Sequence, residues 1–490
     1  MSMNGWKAEG VRAVVVFGVL AASGVVAGVA SAQQPASKFA RENAPVIALT
    51  HATLIDGTGT VPAADQTVVI DHGKIAAVGP AARVTPPAGA KLIDASGKTV
   101  IPGLVGMHEH LFYVAPTDGP LVAVHPFFSF PPLYLASGVT TARTTGSMDP
   151  YGDLRTKADV DRGEMLGPHL WLTSPYLQGA PSLIVQLHEL KDANEAREFL
   201  RYWHSVGFTS VKAYVNITPD ELRAGIDEAH KLGMTVTGHL CSVGYRDAAE
   251  MGIDNLEHGP YGAPDGELDP QHQADGCQTN WFGVLLRIVE GIEPDGPELK
   301  QTIQTLVAHH VAITSTLAVF EGGKRPPMTS LAMTRTHELL NPMSWSHAMT
   351  ARISGLALEA DFEKMIKKEM KFEREFVGAG GLLMAGCDPT GDGHTLAGLG
   401  DQRNIELLVE AGFSVSEAIQ IATMNGAKFL QQADKIGSIA AGKNADLVLL
   451  DGDLSKNVTV IERPITVFKD GVGYDSNAIY ESLRGQVGLQ

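Results

Sequence analysis

Between Pro102 and Pro389 the sequence repeats one alternation, a short apolar run followed by a stretch with helical spacing, and few folds accommodate it. The runs are "GLVGMHEH", "GVTTARTTG", "HLWLTSPYL", "FTSVKAYV", "GMTVTGHL", "IDNLEHG", "VAITSTLAV" and "GLLMAGCD". Strands that are apolar along their length belong in parallel sheets covered by helices, because each helix crosses back to start the next strand. Eight such units point to an α/β chain built on a closed (β/α)8 TIM barrel.

The flanks have a different texture. "VIALTHATLID", "QTVVIDHG", "KIAAVG" and "AKLIDASGKTVI" are short β-rich pieces separated by Gly, Pro and Asp turns, and the tail returns to this texture with "IGSIAAGKNADLVLLDGD" and "ITVFKDGVGYD". The economical expectation is one small β-sandwich built from residues 33–101 and 431–490, with the barrel of residues 102–430 inserted between its halves. The stretch Gly259–Lys300 is longer than a βα connection needs and is a candidate lid.

At its start the chain carries Lys7 and Arg12, an apolar run from Ala13 to Val29, and the small triplet Ala30-Ser31-Ala32. That layout is a secretory signal, residues 1–32, and implies an exported, periplasmic or secreted protein. No later segment is long and apolar enough to span a bilayer, so no stable membrane insertion is expected after cleavage. The three cysteines, Cys241, Cys277 and Cys387, allow at most one bridge with one thiol left over, and none has Cys-x-x-Cys spacing. A net charge of -17 argues against nucleic acid as a partner. A homo-oligomer is compatible with the sequence, which does not specify one.

The chemistry sits at the strand ends. In "GMHEH", alternation puts His108 and His110 on one face of a strand. Lys212 lies in the fourth run, His239 ends the fifth, His258 the sixth and Asp388 the eighth. The C-terminal ends of barrel strands converge on one mouth, and polar groups gathered at apolar strand ends are costly unless something pairs with them. Neutral imidazoles and carboxylates are ligands for zinc. A protonated Lys212 repels a cation, but burial lowers an amine's pKa, and a neutral amine takes up carbon dioxide to become an anionic carbamate with two oxygens.

Taken together, "PGLVGMHEHL", "VKAYV", "TVTGHL", "NLEHG", "AGCDPTG" and the tail "IGSIAAGKNADLVLLDGD" resemble the amidohydrolase superfamily of metal-dependent hydrolases. The resemblance implies two divalent metal ions, most simply Zn2+, with His108, His110 and Asp388 on one, His239 and His258 on the other, and N6-carboxylated Lys212 bridging them. It further implies a metal-bridging hydroxide that attacks a carbonyl carbon, with Asp388 as the catalytic proton carrier. Deaminase-like members place a Glu shortly after the fifth-strand His, whereas "HLCSVGYRD" has none and Lys212 is present. The motif set most resembles the Xaa-Pro dipeptidase-like and aminoacyl-amide hydrolases, which implies a small dipeptide, acyl-amino acid or related amide as substrate. A cyclic amide hydrolase or a deaminase on the same scaffold is the alternative. A binding protein without turnover is disfavoured because every ligand candidate is intact. The chain departs from these relatives at Thr144, Leu240 and Cys241, all on the substrate side of the motifs.

Three further residues are candidates for substrate binding. Arg143 has the bidentate geometry for a substrate carboxylate, with a buried salt bridge as its competing role. Tyr214, two residues after Lys212, shares its face, and His394 follows Asp388 in the next loop. Glu109 should face away from the metals. The aromatic run "HPFFSFPPLYL" reads either as helix core or as an apolar wall over the pocket, and His309 and His310 read as structural.

Overall fold

The computed structural model describes residues 35–115, 122–182, 184–263, 265–268, 277, 281–321, 331–355, 358–389 and 395–488. Its body is α/β and TIM-barrel-like. The parallel strands are β1 (Leu104–Glu109), β2 (Val139–Thr144), β3 (His169–Trp171), β4 (Ser210–Val215), β5 (Thr235–Leu240), β6 (Asn255–Glu257), β7 (Ala312–Ser315) and β8 (Leu383–Ala385). Each falls inside one of the apolar runs of the sequence.

Ladders join β3-β2-β1 and β4-β5-β6-β7-β8, all parallel. Parallel bridges Thr173↔Ser210 and Leu177↔Ala213, just past β3, connect the two groups on one side. On the other side the Asp388 N–H, just past β8, donates to the His108 carbonyl at 2.9 Å. Gly386 permits this approach, since a Cβ there would lie 2.2 Å from the His108 nitrogen.

The connecting helices carry clear local signals. Thr218 and Glu221 form a capping box at the start of Pro219–Lys231, satisfying N–H groups the helix itself cannot. Ala193–Val206 starts on the Asp192 side chain and stops at Gly207, whose φ of 118° only glycine adopts readily. Leu104, Val139, Leu170, Val211, Val236, Leu256, Ile313 and Leu383 join the inner helix faces in the main hydrophobic core. The second half of the aromatic run belongs to this core, with Phe127 exposed before it: Phe130–Ala136 is a fully buried helix, and the Tyr134 hydroxyl donates to the His110 carbonyl at 3.0 Å.

Both ends of the described chain enter one nine-stranded sheet. Strands Val46–Leu54, Ala63–Asp71, Lys74–Pro80 and Thr99–Pro102 come from one end, and Leu447–Leu450, Pro464–Lys469 and Val472–Asp475 from the other. The halves meet where Leu447–Leu450 pairs antiparallel with Thr99–Pro102. Ile47, Leu49, Val68, Ile70, Val100, Leu447 and Phe468 give this sheet a core of its own. Cys241 and Cys277 are disulfide-bonded and Cys387 is a buried free thiol. Among the described residues no helix is long and apolar enough to cross a membrane.

Candidate metal centre

The strand ends bring four imidazoles, one carboxylate and one amine together. Ring centroids of His108 and His110 are 5.2 Å apart, those of His108 and His258 4.6 Å, and those of His239 and His258 4.7 Å. Asp388 Oδ1 lies 3.1 Å from His110 Nε2 and 3.6 Å from His108 Nε2, while its Oδ2 is 3.8 Å from His258 Nε2. Lys212 Nζ stands 3.4 Å from His108 Nε2.

Two of these residues owe their direction to unusual backbone. His108 and His110 follow strand alternation, but His258 and Asp388 lie one and three residues past their strands, with φ of 69° and 49°. Left-handed conformations cost a non-glycine residue about 1 kcal/mol or more, and they persist where surrounding structure holds them. Here each turns a polar side chain back over the mouth.

A layer of fixed partners sits beneath. Glu257 accepts from His108 Nδ1 at 2.8 Å through one oxygen; through the other it accepts from the Arg143 guanidinium at 2.8 Å and from the Thr237 hydroxyl. Holding Nδ1 of His108 leaves its Nε2 facing the cluster, and the Thr316 hydroxyl, 2.7 Å from His258 Nδ1, does the same for that ring. Burial, with the positive field of Lys212, lowers the His108 pKa to about 4. Burial also depresses His239 and His258 well below the usual histidine range. These rings are neutral at pH 7, with lone pairs available.

The donor set fits divalent cations. His239 Nε2 and His258 Nε2 are buried and make no hydrogen bond. Orphaned buried nitrogens cost roughly 1–3 kcal/mol each unless something else engages them. His108, His258 and Asp388 each offer an atom within 4.8 Å of the others, and neutral imidazole with carboxylate is a set zinc accepts. Lys212 is 2% exposed, and burial lowers its pKa to about 8 against the opposing pull of Glu257 and Asp388, so a fraction is neutral amine near pH 7.

Above the cluster is a cavity of about 140 Å³ lined by His110, Lys212, His239 and Asp388 with the apolar Phe112, Met148, Ile184 and Pro389. Tyr214 and Tyr176 complete the wall, their rings 5.8 and 5.5 Å from Lys212 Nζ. Tyr214 is therefore where its shared face with Lys212 predicts. Arg143, the candidate for a substrate carboxylate with a buried salt bridge as its competing role, is placed in such a bridge. Its guanidinium is 1% exposed, donates to the Met107 carbonyl and pairs with Glu257, so it supports the site from below and does not enter the cavity. His394 lies outside the described residues.

Glu257, Thr316 and Tyr176 escaped the sequence reading. Glu257 had a signal, a carboxylate at the end of an apolar strand beside a candidate ligand. Thr316 and Tyr176 had none, because their roles depend on contacts between distant segments.

The opposite face of β1 and β8 carries a second buried polar group. Glu109 faces away from the imidazoles, as alternation predicts, and its Oε2 accepts from the Cys387 thiol at 3.1 Å. Burial and the neighbouring Asp401 push Glu109 well above the usual carboxyl range, and burial raises Asp401 to about 6.

The amidohydrolase family model matches residues 99–473. An imidazolonepropionase of Geobacillus sp. (strain WCH70) is 25% identical over 391 residues, covering 78% of this chain and 83% of that one. Among solved structures, a putative prolidase from Bifidobacterium longum superposes with a TM-score of 0.64 at 23% identity, covering 89% of this chain and 98% of the other. A Xaa-Pro dipeptidase with bound methionine gives 0.63 at 19% identity, covering 88% and 100%.

Proposed function

The chain belongs to the amidohydrolase family and is a metal-dependent hydrolase acting on carbon–nitrogen bonds, and from that premise we propose an exported binuclear enzyme that cleaves the amide of a small dipeptide, acyl-amino acid or related compound. The observation that carries this reading is the set of buried, neutral, unpartnered imidazole nitrogens around Asp388 and Lys212.

His108, His110 and Asp388 would hold one cation, His239 and His258 the other, with Lys212 as a bridging carbamate. Bound there, a divalent pair, most simply Zn2+, supplies an acidified water and polarises a carbonyl. The chain's own groups do the rest. Glu257 and Thr316 lock two imidazoles in one tautomer and orientation. Asp388, its Oδ1 3.1 Å from His110 Nε2 and at the edge of the cavity, would be placed to take a proton from that water and return it to the departing nitrogen. Phe112, Met148 and Ile184 offer an apolar wall for a hydrophobic group of the substrate. With Arg143 committed to Glu257, recognition of a free carboxylate would fall to other groups.

In this reading the eight strands form one closed barrel, residues 102–430, and residues 33–101 and 431–490 build an accessory β-sandwich. The signal-like residues 1–32 motivate export, and the Cys241–Cys277 bridge suits an oxidising compartment. A mature N-terminus after Ala32 in the periplasm or medium would agree with export, and a cytosolic chain retaining residues 1–32 would oppose it.

The likeness to imidazolonepropionase favours a second reading, opening of a cyclic amide. Zinc-loaded protein assayed against dipeptides, N-acyl amino acids and cyclic amides decides between them. Release of a free amine from a linear amide is the expected result. Turnover confined to rings, or release of ammonia alone, would refute the linear-amide reading. Replacing Lys212 with Ala should remove metal and activity, with partial recovery on adding short carboxylic acids; undiminished activity would exclude a bridging role.

A further inference from the structure

Away from the mouth, where the accessory sheet meets the first residue of β3, three ligand-type side chains converge. His169, Asp446 and Asp470 each present an atom within 4.8 Å of the others'. His169 begins β3, at the opposite strand end from the imidazole cluster. Asp446 immediately precedes Leu447–Leu450, and Asp470 occupies the turn between Pro464–Lys469 and Val472–Asp475. From this geometry we infer a separate divalent-cation site that clamps the accessory sheet to the parallel-strand body.

The carboxyl of Asp446 supplies an independent pointer. Asp446 is 5% exposed; its Oδ1 accepts from the Asp470 N–H at 2.8 Å, and its Oδ2 has no hydrogen-bond partner. Such an oxygen buried without a partner costs free energy that a cation would recover. His169 Nε2 faces Asp470 Oδ2 at 3.1 Å, which leaves the buried Oδ2 of Asp446 as the oxygen of this cluster without a partner. Asp470 itself is held at φ 51°, a conformation that turns it toward its two neighbours instead of continuing the strand.

One imidazole with two carboxylates selects a first-row divalent ion such as Zn2+ or Mn2+ over Mg2+ or Ca2+, which take all-oxygen sets. The side chains of His169 and Asp470 are 27% and 54% exposed, so solvent reaches the site and water can complete the coordination. Two ammonium groups lie nearby without occupying it. Lys469 Nζ donates to the Gly167 carbonyl at 2.9 Å and Lys74 Nζ to Asn444 Oδ1 at 2.7 Å.

The site should be measurable whatever the mouth holds, because the readout is a difference. Chelator-stripped full-length protein is titrated with Zn2+ alone and with Mn2+ alone, beside the variants Asp470→Asn and His169→Ala. Asp470→Asn keeps the shape of an exposed, left-handed residue that Asn tolerates, so it retains the fold. The expected result is one bound equivalent fewer in each variant than in the wild type. The metal-dependent rise in Tm should also be several degrees smaller in each variant, with hydrolase activity unchanged. Equal stoichiometry and equal Tm response in wild type and variants would overturn the inference. So would binding that Asp470→Asn leaves intact, since that is an adventitious ion only.

Discussion

Strands β1 and β8 bury polar groups on both faces, and the two faces solve the cost in different ways. On the mouth side, His239 Nε2 and His258 Nε2 are left without hydrogen-bond partners, and Asp388 sits beside the Nε2 atoms of His108, His110 and His258. On the other side, Glu109, Cys387 and Asp401 answer one another: burial raises the pKa of both acids, and the thiol donates to Glu109. No polar side-chain atom of Glu109, Cys387 or Asp401 is buried without a partner, whereas imidazole nitrogens at the mouth are, and this difference between the two faces separates structure from function.

Substitutions on the two faces should therefore behave unlike one another. The largest effect is expected from Asp388→Ala, which removes a metal ligand and the proton carrier together; kcat/KM should fall by roughly 10²–10⁴ or more, with less metal per chain by elemental analysis. Retained turnover would return Asp388 to a structural role.

Glu257→Gln comes next. Arg143 would be left buried without its counter-charge, at a cost of about 3–5 kcal/mol, and His108 would lose the acceptor that fixes its tautomer. Urea unfolding and metal content should decline together. A loss of stability with metal affinity intact would separate the salt bridge from the metal centre.

A third comparison uses pH. The carboxyl of Asp401 is raised from 3.8 to about 6, so the folded protein keeps a proton that the unfolded chain releases. Its contribution to stability is present below pH ~4 and is lost as pH rises through about 6. Asp401→Asn has no such proton to lose, so its stability relative to wild type should improve from pH ~4 to ~6 and level off above. Unfolding curves of the chelated proteins across that range check the sign. The smallest effect is expected from Glu109→Gln, a near-isostere of the protonated acid, at about 1 kcal/mol or less. Metal content and kcat should stay unchanged, although Glu109 lies between two candidate ligands in the chain.

Much of this was legible in the chain. Apolar strands alternating with helices mark each of the eight parallel strands, because full burial leaves no polar interruption to blur the pattern. His108, His110 and the opposite-facing Glu109 follow from a period of two. The convergence of His258 and Asp388 does not follow from periodicity, since both reach the mouth through left-handed backbone beyond their strand ends. Arg143 was open to two readings because its partner, Glu257, sits four strands away in sequence, and pairing between distant strands leaves no local trace. The Asp446 cluster is illegible for the same reason, since His169 comes from a segment far from both aspartates along the chain.

Anomalous diffraction from crystals of the zinc-loaded protein bears on all of this at once. Peaks are expected roughly 2.0–2.3 Å from the Nε2 atoms of His108 and His110, from His239 and His258, and from Asp388, with density for a carbamate on Lys212. Anomalous maps without a peak among these side chains, with water alone facing the imidazole nitrogens at the mouth, would contradict the metal centre and the hydrolysis built on it.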